Sequence, residues 1–305
     1  HELNYTILDT MKRAKKNKIG FVGLGIMGKP MVVNLIRDGY KVSFFARKKK
    51  IINEICKIGG IFVPLIKDLP LHADTIITNL PNTKDVKEVV IGKNGLLHKL
   101  KINSCVVDMS TISPEGTKDI SATLKRKGAF FIDAPVSGGE AGAISGELSI
   151  MAGGEKKAFI KVKPILSVLG KKITYIGGSG SGQICKLCNQ ILVAQTIKSI
   201  SQIIGIAVKA KIKPNVIRKA LLGGYANSKI LEIHGERMIK SDYKPGFKLS
   251  LHNKDLNIAK SFTRSLGLNF KGLNEVKKIM NEAENTGFSE SDSSVIHRIL
   301  EKTYK

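Results

Sequence analysis

The sequence predicts an α/β fold in which a doubly wound, mostly parallel sheet is followed by an all-α C-terminal domain. Three observations predict it. Strand-like and helical patterns alternate in the first half, a glycine-rich turn follows the first strand, and only helical patterns follow residue 183. The 305 residues suit two domains, and 42% apolar residues suffice for a packed core.

The predicted strands are runs of β-branched and apolar residues at 18–22, 41–45, 75–79, 105–108, 130–133 and 172–176. Helical patterns lie between them, notably at 27–37, 85–90, 114–127 and 156–169. Because strands and helices alternate, we expect an N-terminal sheet of the Rossmann type.

The second half begins with apolar residues at helical spacing over residues 183–210. Such a helix would be roughly 40 Å long and could join two domains. Further helical patterns follow at 215–222, 249–266, 273–285 and 291–302. We therefore divide the chain into a basic tail (1–17), a Rossmann-like domain (18–180) and an all-helical domain (181–305).

A glycine-rich turn follows the first predicted strand. Its residues are Gly23, Leu24, Gly25, Ile26, Met27 and Gly28. The first glycine allows a tight turn, the second lets the backbone approach a pyrophosphate, and the third lets the helix pack on its strand. The N–H groups at the helix N-terminus favour an anion there. This context, a strand before and an amphipathic helix after, predicts a dinucleotide site.

The formal charge of +25 is typical of proteins that bind nucleic acids, so we considered that function. However, the lysines are scattered along the chain, tryptophan is absent and aromatic residues make up 6%. No basic stretch carries the interleaved aromatic residues that stack on bases. Nucleic acid is therefore not an expected partner, although the charge would steer anionic ligands toward the protein.

The chain has four cysteines, and the spacing of Cys185 and Cys188 is one that redox and zinc sites use. A zinc site would need a second ligand pair, which is missing, so we expect reduced, packed thiols and no metal.

No segment reaches the roughly 18 uninterrupted apolar residues of a membrane span. The first residues also lack the pattern of a secretory signal, and we expect a cytoplasmic protein without a membrane partner.

Four motifs occur in a recognisable order: FVGLGIMGKPM at 21–31, DAPVSGG at 133–139, GSGQICKLCNQ at 180–190, and Lys254-Asp255-Leu256 within KPGFKLSLHNKDLNIA at 244–259. Over about residues 18–303 the chain resembles the β-hydroxyacid dehydrogenases, which include 3-hydroxyisobutyrate dehydrogenase and tartronate semialdehyde reductase. Its motifs look most similar to those of the tartronate semialdehyde reductases.

The resemblance implies that Lys186 is the acid/base group, which protonates the carbonyl oxygen as hydride arrives. A free lysine has a pKa near about 10.4, so we expect desolvation and the helix N-terminus to lower the pKa of Lys186. Asn189, one helical turn away, would hydrogen-bond the reacting oxygen or the hydroxyl. Ser137, Gly138 and Gly139 resemble the family's site for the substrate carboxylate.

Cofactor contacts implied by the resemblance are Leu80, Pro81, Thr111 and Lys254. NAD-selective relatives place an acidic residue after the second strand, where this chain has Arg47 and Lys48. Arg47 could pair with a 2′-phosphate, which predicts NADPH (NADP) as the preferred cofactor and NAD as the alternative.

The resemblance therefore implies NADPH-dependent reduction of tartronate semialdehyde to D-glycerate, a small anionic aldehyde-acid substrate, and a homo-oligomer (dimer or tetramer) formed through the helical domain. Within the class, the alternatives are 3-hydroxyisobutyrate dehydrogenase and glyoxylate or succinic semialdehyde reductase. Two different functions also stay open: a non-catalytic nucleic-acid-binding protein on a dehydrogenase scaffold, and an oligomer with a structural role.

Overall fold

The computed structural model describes residues 18–304, so the predicted basic tail at 1–17 lies outside the described residues. The chain forms two compact units, which meet in sequence between Lys186 and Leu187. That position is inside the longest helix and slightly later than the boundary predicted near residues 180–182.

The first unit contains a sheet whose strands are β1 Lys18–Val22, β2 Lys41–Phe45, β3 Ile61–Phe62, β4 Thr75–Thr78, β5 Cys105–Asp108, β6 Phe130–Asp133, β7 Val136–Ser137, β8 Ser149–Gly154 and β9 Lys172–Gly177. The strand order is β3-β2-β1-β4-β5-β6-β8-β7, and β9 pairs with β8. Strands β1 to β6 are parallel, whereas β8 runs antiparallel to β6 and β7. This order is that of a doubly wound dinucleotide-binding sheet, so the predicted fold class is confirmed.

The helices of the first unit are α1 Gly28–Arg37, α2 Lys49–Lys57, α3 Leu69–His72, α4 Thr83–Ile91, α5 Pro114–Arg126, α6 Gly139–Ser145, α7 Lys156–Leu169 and the start of α8 Ser181–Lys209. Each of the six predicted strands is present. The sequence patterns missed β3, β7 and β8. Strands β3 and β7 have two residues each, too short to show a period, and β8 ends in two glycines, which are poor strand formers.

The second unit is helical, as predicted, and contains the rest of α8 with α9 Pro214–Leu222, α10 Lys229–Lys240, α11 Leu249–Ser265, α12 Lys271–Ala283 and α13 Ile296–Glu301. The prediction of one helix over 291–302 is wrong. Asp292 accepts a hydrogen bond from the backbone N–H of Ser294, and a 3₁₀ turn, Ser293–Val295, precedes α13.

Successive residues of the central strands point to opposite faces of the sheet. Ile76 and Val106 pack in one apolar core, which includes residues of α4 and α5. Ile77 and Val107 pack in the other, which includes residues of α1 and α7. Both faces of the sheet are therefore covered, which explains why its strands read as continuous apolar runs rather than as alternating patterns.

Helix α8 is long and apolar enough to cross a membrane by length and composition, and it is the one such helix within residues 18–304. Its residues Ala194, Ile197 and Ile200 are buried in the core of the helical unit. Gly205 does not break the helix: a Cβ there would lie 2.6 Å from the ring of Tyr304. The buried face of α8 therefore serves core packing, while Leu192 and Ile206 of the same helix are exposed.

Asp133 connects the end of β6 to the start of α8 and is fully buried. Its Oδ1 accepts a hydrogen bond from the backbone N–H of Gly180 (2.9 Å), and its Oδ2 accepts one from that of Gln183 (3.0 Å). These N–H groups belong to a helix N-terminus, where backbone donors have no partner within the helix. Burial nevertheless raises the pKa of Asp133 from 3.8 to about 6, because it disfavours the charged form more than the two donors favour it.

We expect Asp133 to give the protein a measurable pH dependence of stability. Between about pH 6 and about pH 4 the folded chain holds a proton that the unfolded chain releases, so this contribution to stability grows as the pH falls. As the pH is lowered from about 6 to about 4, the unfolding free energy of the native protein should rise, relative to that of Asp133→Asn, by up to about 1.4 kcal/mol per pH unit.

Urea denaturation at a series of pH values measures this difference. The control is Asp119→Asn, because Asp119 is an exposed carboxylate that pairs with Lys87. A difference between native protein and Asp133→Asn that stays constant over the interval would contradict the raised pKa.

Candidate active site

The glycine-rich turn joins β1 to α1 as predicted, and its first and last glycines are required by packing. Gly23 has φ +101°, and a Cβ there would lie 2.1 Å from the carbonyl oxygen of Asn79. A Cβ at Gly28 would lie 1.9 Å from the carbonyl oxygen of Gly23. Larger residues at these two positions would push the turn away from β4 and from α1.

Gly25 differs from these two glycines, because a Cβ there would meet nothing within 4 Å. The residue is exposed at the tip of the turn, beside exposed Ile26 and half-buried Met27, while Leu24 is buried below. Nothing in the fold therefore requires a glycine at position 25. The open space over its Cα lies next to the N-terminus of α1, the place where dinucleotide-binding folds hold a pyrophosphate.

The loops that follow β4 and β5 are connected by a buried carboxylate. Asp108 Oδ1 accepts hydrogen bonds from the hydroxyls of Thr78 (2.8 Å) and Ser110 (2.6 Å). The Ser110 Oγ in turn accepts one from the backbone N–H of Leu80 (2.8 Å). The backbone that leads to Leu80 and Pro81 is thereby fixed at the carboxyl ends of the strands.

Thr111 lies in the loop that follows β5, and the peptide groups on either side of it are hydrogen-bonded to the side chain of Gln183. Gln183 Nε2 donates to the carbonyl oxygen of Ser110 (2.8 Å), and its Oε1 accepts from the N–H of Ile112 (3.1 Å). Gln183 is fully buried in the first turn of α8. The sequence gives no sign of this role of Gln183, since a single glutamine in an apolar helix forms no distinctive pattern.

Arg47 is exposed and lies just after β2, in the three-residue connection to α2. Strands β2, β1, β4 and β5 are neighbours in the sheet. The structure therefore brings Arg47, the glycine-rich turn, Leu80 and Thr111 to the same edge of the sheet, where open α/β sheets bind ligands.

The proposed carboxylate segment follows β6 as a short strand and a turn. Ser137 ends β7 and pairs with Ser149 of β8, and it is half-buried. Gly138 and Gly139 both have positive φ, +135° and +62°. This turn leads into α6 and orients consecutive backbone N–H groups in a way that suits an oxyanion.

Lys186 is 7% exposed, which is low for a lysine on a helix. It lies in the second turn of α8, three residues beyond Gln183 and therefore on the adjacent part of the helix surface. The start of this helix is held by Asp133. The position of Lys186 in the first unit is thus fixed through buried hydrogen bonds.

In the helical unit, Asn189 and Lys254 belong to one chain of polar contacts. Asn189 Nδ2 donates to Gln190 Oε1 (2.8 Å), and Gln190 Nε2 donates to Asp255 Oδ2 (2.7 Å). The other oxygen of Asp255 lies 3.0 Å from Lys254 Nζ. Gln190 and Asp255, both nearly fully buried, therefore orient the two predicted site residues, and sequence reasoning missed them in this role.

The start of α11, which carries Lys254, is fixed by a second buried carboxylate. Asp292 Oδ2 accepts hydrogen bonds from the backbone N–H groups of Gly246 (3.2 Å) and Phe247 (3.1 Å). Burial raises the pKa of Asp292, but the hydrogen bonds from Ser294, the nearby His234 (3.7 Å) and the N–H of Phe247 together hold this pKa below its usual value.

The four cysteines are free thiols. The prediction that the pair in α8 is packed is wrong for Cys188, which is exposed. It lies two residues past Lys186, about 200° around the helix, and so on the opposite face. Cys105 is buried, and burial raises the pKa of its thiol to about 12. Within residues 18–304, no group of three or more His, Cys, Asp or Glu residues could hold a metal ion.

Comparison with known proteins agrees with this geometry. The family model for the NAD binding domain of 6-phosphogluconate dehydrogenase matches residues 18–177. The model for the NAD-binding domain of NADP-dependent 3-hydroxyisobutyrate dehydrogenase matches residues 180–300.

Individual relatives cover nearly the whole chain. The 2-hydroxy-3-oxopropionate reductase of Escherichia coli (strain K12) is 42% identical over 284 residues, which are 93% of this chain and 97% of that protein. The mitochondrial 3-hydroxyisobutyrate dehydrogenase of Rattus norvegicus is 31% identical, over 94% of this chain and 88% of that one.

Among solved structures, the 3-hydroxyisobutyrate dehydrogenase of Mycobacterium tuberculosis with L-serine superposes with a TM-score of 0.86 at 26% identity, covering 93% of this chain and 99% of that chain. The resemblance stated from the four motifs is confirmed. The chain belongs to the 3-hydroxyisobutyrate dehydrogenase-like family of NAD(P)-dependent oxidoreductases, which act on CH–OH groups.

Proposed function

We propose that this protein reduces tartronate semialdehyde (2-hydroxy-3-oxopropanoate) to D-glycerate, with NADPH as the reductant. The observation that carries the choice of substrate is the 42% identity to the Escherichia coli 2-hydroxy-3-oxopropionate reductase over nearly the full length of both chains. The proposed reaction converts the aldehyde, NADPH and one proton into the primary alcohol and NADP⁺.

The residues at the edge of the sheet fit a dinucleotide. The open space over Gly25 and the N–H groups that begin α1 would hold the pyrophosphate. Leu80, Pro81 and Thr111 would contact the nicotinamide half. NADPH, when bound, supplies hydride to the carbonyl carbon of the substrate.

Arg47 supports the preference for NADPH. Its guanidinium, just beyond the carboxyl end of β2, can form charge-assisted hydrogen bonds to a 2′-phosphate. The three residues that follow it are lysines, so a carboxylate that would hold the 2′-hydroxyl of NAD is missing from this connection.

Ser137, Gly138 and Gly139 would bind the substrate carboxylate. The serine hydroxyl and the N–H groups of the positive-φ turn can surround an oxyanion and fix which end of the substrate faces the nicotinamide. Since the carboxylate is common to the small hydroxyacids, this segment does not by itself distinguish them.

Lys186 would supply the proton. Its ammonium group donates a proton to the carbonyl oxygen as the carbon accepts hydride, and the neutral amine is then reprotonated from solvent. The carboxamide of Asn189, oriented by Gln190, would hydrogen-bond the reacting oxygen or the hydroxyl group. Because Lys186 is largely buried, the proton transfer takes place away from bulk water.

A second candidate is oxidation of 3-hydroxyisobutyrate. The rat mitochondrial relative and the family model over residues 180–300 both carry that name. The two reactions use the same hydride and proton transfers on different side chains. Assembly through the helical domain and a cytoplasmic location stay predictions.

We expect Lys186→Ala to lower kcat for tartronate semialdehyde by roughly 10²–10⁴, because general acid catalysis contributes about that factor. The dissociation constant for NADPH should change little. Loss of NADPH absorbance measures turnover, with 3-hydroxyisobutyrate and NADP⁺ assayed in the reverse direction.

The matched control is Lys209→Ala, an exposed lysine at the end of the same helix. Full activity of Lys186→Ala would show that Lys186 does not donate the proton. Faster turnover of 3-hydroxyisobutyrate than of tartronate semialdehyde would favour the second candidate.

We expect Gly25→Ala to fold normally and to bind NADPH about tenfold more weakly or worse, because the added methyl group would occupy the space for the pyrophosphate. Gly224→Ala, another glycine with open space around its Cα, is the control. Fluorescence titration of NADPH and circular dichroism separate affinity from folding. Unchanged affinity in Gly25→Ala would place the pyrophosphate elsewhere.

We expect Arg47→Ala to weaken NADPH binding about tenfold while NADH binding changes less than about twofold, because NADH lacks the 2′-phosphate. Lys41→Ala, at the opposite end of the same strand, should affect neither cofactor. Equal losses for both cofactors would show that Arg47 does not read the 2′-phosphate.

A further inference from the structure

Gln183 is a buried polar side chain to which the proposed mechanism assigns no direct contact with cofactor or substrate. It is fully buried. Its Nε2 donates a hydrogen bond to the carbonyl oxygen of Ser110 (2.8 Å), and its Oε1 accepts one from the N–H of Ile112 (3.1 Å). These two peptide groups lie on either side of Thr111. The side chain therefore holds the loop on both sides of the residue proposed to contact the cofactor.

The backbone of Gln183 is held just as firmly as its side chain. Its N–H donates to Asp133 Oδ2 (3.0 Å). A Cβ on the neighbouring Gly182 would lie 2.3 Å from the carbonyl oxygen of Met151, so this turn of α8 packs directly against β8. The first turn of α8 thus has little room to shift relative to the sheet, and Lys186 follows in the next turn.

The contacts of Ser110 extend this connection to the β4 loop. Its carbonyl oxygen accepts from Gln183, and its hydroxyl accepts from the N–H of Leu80 (2.8 Å) while donating to Asp108 (2.6 Å). A continuous set of hydrogen bonds, buried except for the partly buried one at Leu80, therefore runs from the Leu80 loop through the Thr111 loop to the helix that carries Lys186.

The chemistry of the site calls for a glutamine. A carboxamide offers a donor and an acceptor on one planar group, and the loop presents one acceptor and one donor. A glutamate keeps the acceptor, but it keeps the donor only when its carboxyl group is protonated, the form that full burial favours. A methionine of similar size makes neither hydrogen bond and leaves two buried peptide groups unsatisfied.

We propose that Gln183 is a positioning residue that sets the Thr111 loop and the Lys186 helix in one fixed arrangement, so that cofactor affinity and proton transfer depend on the same side chain. This inference rests on the roles proposed above for Thr111 and Lys186. It makes Gln183 different from Lys186, whose replacement should affect the chemical step alone.

The test compares Gln183→Met and Gln183→Glu with Gln202→Met, a replacement of an exposed glutamine on the same helix. NADPH affinity is measured by fluorescence titration without substrate, and kcat and KM with tartronate semialdehyde. We expect Gln183→Met to raise the dissociation constant for NADPH and to lower kcat, each on the order of tenfold, with KM for the aldehyde changed less than about twofold.

Gln183→Glu, which keeps the acceptor, should bind NADPH with an affinity between those of the native protein and Gln183→Met, and Gln202→Met should match the native protein. Thr111→Val is then combined with Gln183→Met. If the two side chains act through one loop, the double variant should lose clearly less NADPH affinity than the product of the two single losses.

A lower melting temperature with unchanged NADPH affinity and unchanged kcat per folded molecule would show that Gln183 is merely structural and would overturn the proposal. Independent losses in the double variant would overturn it as well. If Gln183→Met does not fold, Gln183→Glu gives the same decision. NADPH binding by a native protein that reduces no aldehyde-acid would refute the proposed function, while the affinity measurements would still decide the role of Gln183.

Discussion

The arrangement of the first unit depends on how the N-terminus of α8 is attached to the sheet. A helix start leaves backbone N–H groups without partners, and here two of them are buried. The Asp133 carboxylate at the end of β6 accepts both, at 2.9 and 3.0 Å. Burial of this carboxylate is costly, which its raised pKa shows, yet it fixes the turn that precedes Lys186. The helix that carries the proposed proton donor is thus held by the sheet that also carries the proposed nucleotide site.

The same requirement, that buried polar groups have partners, organises the loops around the proposed cofactor site. Asp108 receives the hydroxyls of Thr78 and Ser110, and Gln183 satisfies the peptide groups beside Thr111. Each of these hydrogen bonds restricts a loop at the carboxyl end of a strand. Rigid loops let a protein bind a cofactor without first having to order the residues that contact it.

The helical unit solves an equivalent problem with its own carboxylates. Asp255 orients Lys254 directly and Asn189 through Gln190. Asp292, nearly fully buried, accepts the N–H groups of the loop that leads into α11. Each unit therefore keeps its proposed functional side chains in place by buried hydrogen bonds.

The sequence by itself determined most of the strand and helix pattern, the glycine-rich turn at residues 23–28 and the family, because periodicity and short motifs are local properties. It missed Gln183, Gln190 and Asp255 in their positioning roles, since hydrogen bonds such as the one from Gln183 to Ser110, 73 residues apart, leave no local pattern. The motif alone also assigned separate roles to Gly23, Gly25 and Gly28. Only the tertiary structure decided which atoms a side chain at Gly23 or Gly28 would meet and that the Cα of Gly25 faces open space, because those neighbours come from distant parts of the chain.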